Sequence, residues 1–182
     1  MNIRNDMGRF FCIASLMCLV GFIGGEGFCG ETVATSKREL LLYRVDDDYE
    51  RHPDGRVPVD ESLPIQQKMR LLLDEISRRH YPDLPPIEIL ETLKTKDGLV
   101  AVLNLTEQEQ EFFKSRWYQK FGGSLGWKQT YCQLIETPLQ PDYPGFWFSG
   151  VKLYWNGKPL DEDIEISGVI FRVKSKGNSL EQ

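Results

Sequence analysis

Apolar positions along this chain follow two different periods, and the places where the period changes mark out its elements. The largely apolar run "ELLLYRV" (39–45) predicts a strand, followed by a solvated loop at "DDDYERHPDG". Ile65, Met69, Leu72 and Ile76 then recur at helical spacing. Ser62 is the candidate N-cap of that helix, with Pro64 in its first turn and Arg78, Arg79 and His80 in its last, where cations suit the helix dipole. "YPDLPP" breaks it. Two β-rich runs flank Lys96-Asp97-Gly98, a hairpin-turn signal. In the second run Leu99, Ala101, Leu103 and Leu105 face one way while Val100 and Val102 face the other, as expected of a central strand.

Thr106 to Glu109 read as a capping box that opens a helix carrying Phe112, Phe113 and Trp117 inward and ending at Gly122-Gly123. A second helix is predicted from about Ser124, with Trp127, Tyr131, Leu134 and Ile135 on one stripe and a stop at Pro138. After the loop "QPDYPG", Val151, Leu153 and Trp155 alternate with Lys152, Tyr154 and Asn156 up to the turn Asn156-Gly157. The stretch 168–173 alternates again as a short edge strand, and a polar tail follows over 174–182. The whole predicts an α+β fold: a small mixed sheet with an α-β-β-α-β core, covered by helices on one face.

The N-terminus follows neither period. A weakly basic start leads into the uncharged apolar run from Phe10 to Ile23 and then "GGEGFCG", the order of a secretory signal peptide. Residues 1–30 are therefore expected to be a signal peptide or N-terminal anchor, residues 31–37 a linker, and the protein exported. The apolar run is shorter than the roughly 20 residues of a spanning helix. Membrane contact would come only through an uncleaved leader or a lipidated Cys29, whose preceding Phe28 fits a lipidation signal poorly. Cys12, Cys18 and Cys29 lie in or beside this leader, which leaves Cys132 with no disulfide framework and reads it as a small buried residue on a helix.

At 182 residues, 41% hydrophobic and 27% charged, the chain has enough material for one globular domain. Its net charge of −5, with no long run of Lys or Arg, lacks the footprint of phosphate-backbone binding, so nucleic acid is not an expected partner. His52 and His80 are the whole histidine complement, one in a charged loop and one at a helix end. No nucleophile elbow, histidine cluster or phosphate loop accompanies them, and no metal or cofactor is expected. Carboxylate pairs such as Glu109/Glu111 and Asp161/Asp163 read as solvated surface, and Asn104 opens a formal glycosylation sequon where a strand meets a helix. The aromatics that do not fit a core stripe are Tyr143, Phe146, Trp147 and Tyr154, which form the candidate interaction surface.

The order of these segments resembles the GerM domain of bacterial sporulation and spore-germination proteins. The resemblance runs through "QQKMRLLLDEI", "LETLKTKDGLVAVLNLTEQ", "YCQLIETPLQ" and "FSGVKLYWNGKPL", and covers residues 38–173. It implies a topology similar to the ring-building motif of envelope secretion complexes. It also implies a non-catalytic module of the bacterial envelope or periplasm that binds partner proteins or self-assembles. The alternative is an envelope protein that binds or hydrolyses cell-wall glycan, with peptidoglycan as its partner.

Overall fold

The computed structural model describes residues 36–162 and 164–173; the expected leader, the linker up to residue 35 and the polar tail lie outside the described residues. The described chain opens with β1 (Lys37–Val45) paired antiparallel to β2 (Arg51–Asp60). β1 thus begins inside the expected linker, and β2 occupies much of the expected solvated loop. Pro53 and Pro58 hide this strand from propensity. Both sit on the outer strand of a two-stranded sheet, where a missing N–H leaves no ladder bond unmade. Val57 and Val59 of β2 are buried with Leu40 and Leu42 of β1, so the hairpin has one apolar face.

The free edge of β1 is closed by side chains. The Leu41 N–H donates to Gln140 Oε1 (2.9 Å), the Tyr43 N–H to Thr137 Oγ1 (3.2 Å) and the Val45 N–H to Gln129 Oε1 (3.0 Å). Gln140 Nε2 donates back to the Leu41 carbonyl (2.6 Å), so one side-chain amide pairs with the strand as a neighbouring backbone would. Three polar residues of a helical stretch thereby stand in for a third strand.

α1 (Ile65–His80) buries Met69, Leu72, Leu73 and Ile76 along its predicted stripe. Its N-cap is Pro64 rather than Ser62, because the Ser62 hydroxyl and N–H both turn back to Asp60 Oδ1 (2.7 and 2.8 Å). At the other end Arg78 and Arg79 both donate to Glu75, which holds that carboxyl down at about 2.

The larger sheet is mixed. β3 (Glu88–Thr95) and β4 (Gly98–Leu105) form the predicted hairpin. Its glycine is obligatory: Gly98 has φ +120°, and a Cβ there would lie 2.0 Å from Ser149 Oγ. β4 runs parallel to β5 (Gly150–Trp155), and parallel neighbours need a crossover. That crossover holds α2 (Arg116–Lys120), α3 (Gly123–Tyr131), a π-helical turn (Cys132–Glu136) and α4 (Thr137–Leu139). β6 (Lys158–Pro159) and β7 (Val169–Phe171) both pair antiparallel with β5, and β7 is the short edge strand expected over 168–173. The order α1-β3-β4-helices-β5 realises the α-β-β-α-β core and gives an α+β fold. β4 is buried along its last six residues, as expected of a central strand.

The crossover differs from its prediction in two ways. Thr106–Glu109 form no capping box. Asn156 of the turn after β5 holds this segment instead, accepting from the Glu107 N–H (2.9 Å) and donating to the Glu109 carbonyl (3.0 Å). The helix starts only at Arg116, where Ser115 Oγ caps the Tyr118 N–H (2.9 Å), so Phe113 is left half exposed while Trp117 is fully buried. The second helix widens into the π turn, with the Thr137 N–H donating five residues back to the Cys132 carbonyl. This places Pro138 inside the helical stretch rather than at its end. The widened turn relieves the contact a proline ring makes with the carbonyl four residues before it. Helices α1 and α4 touch each other and lie between the hairpin and the larger sheet, α1 against β1, β2 and β3, and α4 against β1 and β5.

Candidate functional site

The four aromatics singled out in the sequence part company. Tyr143 and Trp147 are core residues, 9% and 4% exposed, so their reading as exposed contacts is corrected. Their rings meet at 5.3 Å, Trp147 Nε1 donates to the Pro138 carbonyl (2.7 Å), and fully buried Phe148 packs edge-on behind. The cause is the chain reversal at Gln140, whose φ is +46°, together with Arg172 Nη2, which donates to the Pro141 and Tyr143 carbonyls (3.0 and 2.6 Å). Together they fold the loop back against α4. Tyr154 is half-buried on the larger sheet, with Lys152 Nζ 5.5 Å from its ring centre.

Phe146 alone is turned outward, at 76% exposure between two core aromatics. It shares an open groove of about 660 Å³ with Phe171, Asp97, Ser149 and Arg172. Phe171 is itself 43% exposed. The loop is rigidly pinned and its most apolar tip faces solvent.

A second site was missed by sequence reasoning. The turn between β1 and β2 and the end of α3 enclose a cleft of about 380 Å³. On the hairpin side, Asp46 organises the turn: its Oδ1 accepts the N–H groups of Asp48 (3.0 Å) and Glu50 (2.9 Å), and its Oδ2 bonds His52 Nε2 (2.6 Å). The backbone bond from Glu50 is the main reason the Asp46 carboxyl lies below its ordinary value. Held in this turn, Tyr49 takes φ +65°, a conformation that L side chains rarely adopt.

On the helical side stand Trp127 and Tyr131, both half-buried. Lys128 Nζ sits 4.5 Å above the Tyr49 ring. Arg51 lies 3.8 Å from Glu136 and 3.7 Å from Asp142, with its guanidinium 4.7 Å above the Tyr43 ring. Burial, then the charges of Glu136 and Glu165, raise the Tyr131 phenol above its ordinary value. Cys132 is 1% exposed, and burial with Glu136 pushes its thiol up to about 12. At neutral pH it is a protonated thiol rather than a thiolate nucleophile.

Neither histidine lines the cleft. His52 belongs to the Asp46 turn, and His80 Nε2 is buried 3.5 Å from Asp54 without a hydrogen bond. Among the described residues no group of three or more His, Cys, Asp or Glu is placed to hold a metal ion, and no helix is long and apolar enough to cross a membrane. Asn104 is buried at the end of β4, where its Oδ1 accepts the Gly157 N–H (2.8 Å).

Periodicity assigns Trp127 and Tyr131 to a core stripe and Tyr49 to a loop, and nothing short of pairing β2 with β1 brings the three together. The available signal was the aromatic pair at four-residue spacing beside Lys128, on a helix that already carried Leu134 and Ile135 for its core. No family model, no curated protein and no solved structure matches this chain.

Proposed function

We propose that this protein is an exported, non-catalytic module of the bacterial envelope that docks a partner protein, in the manner expected of GerM-like domains. The observation that carries the reading is Phe146, a large apolar side chain 76% exposed on a loop whose neighbours are locked in the core. Large exposed apolar side chains on a pinned backbone are the usual anchors of interfaces, since docking them costs little ordering. Phe171 and the groove beside Phe146 enlarge the patch.

Strand pairing is the less favoured route of docking. The outer edge of β3 carries exposed Glu88, Glu91 and Lys94, and its register shifts between Ile89 and Glu91. Charges and bulges of this kind guard an edge against a second strand.

The experiment is chemical crosslinking of the tagged full chain in the envelope of its own bacterium, beside Phe146→Ser. A defined envelope protein captured by the parent chain and lost with the variant supports the reading. Capture unaffected by Phe146→Ser, or only copies of the chain itself, contradicts it.

A further inference from the structure

The cleft between the β1–β2 turn and the end of α3 is a second site, chemically distinct from the Phe146 groove. We propose that it binds one or two rings of a neutral glycan. Three observations converge on it.

The first is the wall. Tyr49, Trp127 and Tyr131 hold aromatic surface partly open to the cleft, with Tyr49 43% exposed. A pyranose has an apolar C–H face that lies against such rings and a rim of hydroxyls that needs hydrogen-bonding partners. Glu136, Glu165 and Arg51 supply acceptors and donors at that rim, and bonds to charged groups are the stronger kind.

The second is the balance of charge. Arg51 and Lys128 line the cleft together with Glu136 and Glu165, and Arg51 lies 3.8 Å from Glu136. A cationic ligand would meet two cations, one of which already covers the Tyr49 ring. An anion would meet two carboxylates. A neutral, polyhydroxylated ligand is opposed by neither. The volume of about 380 Å³ is near the lower end of small-ligand sites, which run from about 300 to 1,000 Å³, and suits a short saccharide rather than a protein segment.

The third is strain at the rim. Glycine or asparagine would take the Tyr49 backbone conformation more cheaply, yet an exposed tyrosine stands there at φ +65°. Facing it, the helix carries a π turn from Cys132 to Glu136. Unfavourable backbone and π turns concentrate where a side chain must be aimed at a ligand.

The test is a tryptophan-fluorescence titration of the full chain with soluble oligosaccharides, chitotriose and cellotriose, with tetramethylammonium and inorganic phosphate as charged comparators. Saturable binding of either saccharide, weakened about tenfold or more by Tyr49→Gly and by Glu165→Gln, is the expected result. Tyr49→Gly relieves the positive φ, so its thermal midpoint should be equal to or above the parent's, which separates lost binding from lost folding. Phe146→Ser should bind saccharide as the parent does, which keeps this site apart from protein docking. Saturation by tetramethylammonium or phosphate alone, no saccharide response, or unchanged binding in Tyr49→Gly would overturn the assignment.

Discussion

Two aromatic regions of this molecule have similar composition and opposite fates. The loop 143–149 carries Tyr, Phe, Trp and Phe, and all but Phe146 are buried. The cleft is walled by Tyr49, Trp127 and Tyr131, and none of these three is fully buried. What separates them is the backbone beneath. The loop is drawn inward by bonds to its own backbone and indole groups, from Arg172 and to Pro138. The cleft is held apart by two elements that meet lower down, where Gln129 ties the Val45 N–H. Aromatic density alone therefore does not identify a binding surface; the partners of the surrounding polar groups do.

The comparison breaks most clearly at Trp147. Trp147→Ala removes a ring packed against Tyr143 and Phe148 together with its bond to Pro138. It should cost about 3–5 kcal/mol in a denaturant titration. A loss below about 1 kcal/mol, within the range of ordinary surface substitutions or little above it, would return this residue to the surface.

Gln140→Ala tests what holds the two regions in place. It leaves the Leu41 N–H and carbonyl without their partners and should cost about 2–3 kcal/mol, read as a lower denaturant midpoint with an unchanged slope.

A smaller effect belongs to His80, whose pKa is lowered mainly by burial. The unfolded chain binds the proton first as pH falls through the ordinary value of 6.5, so stability should decline from there down to the lowered folded value. Glu75, held at about 2 by its two arginines, adds a second decline between the ordinary 4.5 and about 2. His80→Gln should flatten the first limb and Glu75→Gln the second, in stability measured against pH.

The smallest effect is Phe146→Ser. An exposed side chain has little packing to lose, so stability should change by no more than about 0.5 kcal/mol while docking is lost. A large destabilisation would place Phe146 with Trp147.

Much of the fold was legible before any coordinates. The stripe of α1, the hairpin at Lys96–Gly98, the two-faced burial of β4 and the alternation of β5 all follow from periodicity and turn chemistry. β2 was illegible because Pro53, Gly55 and Pro58 violate strand propensity locally. They are tolerated because the strand lies at an edge, and Gly55 leaves room for the side-chain ends of Arg79 and Leu42. The capping box at Thr106 failed for the opposite reason. Its local signal was sound, but the side chain of Asn156, some fifty residues on, bound the same backbone groups. Of the candidate surface, the position of Phe146 was legible only as one of four aromatics. Its exposure depends on the reversal at Gln140, which no local pattern announces. The cleft depends on β2, and so it was lost with it.

The central claim is that this chain is a docking module whose anchor is Phe146. Replacing Phe146 with a photoreactive benzoylphenylalanine in the full chain, beside the same replacement at Tyr154, tests it most directly. The account predicts one defined adduct with another envelope protein from position 146 and little or none from position 154. No adduct from 146, or the same adducts from both positions, would contradict it.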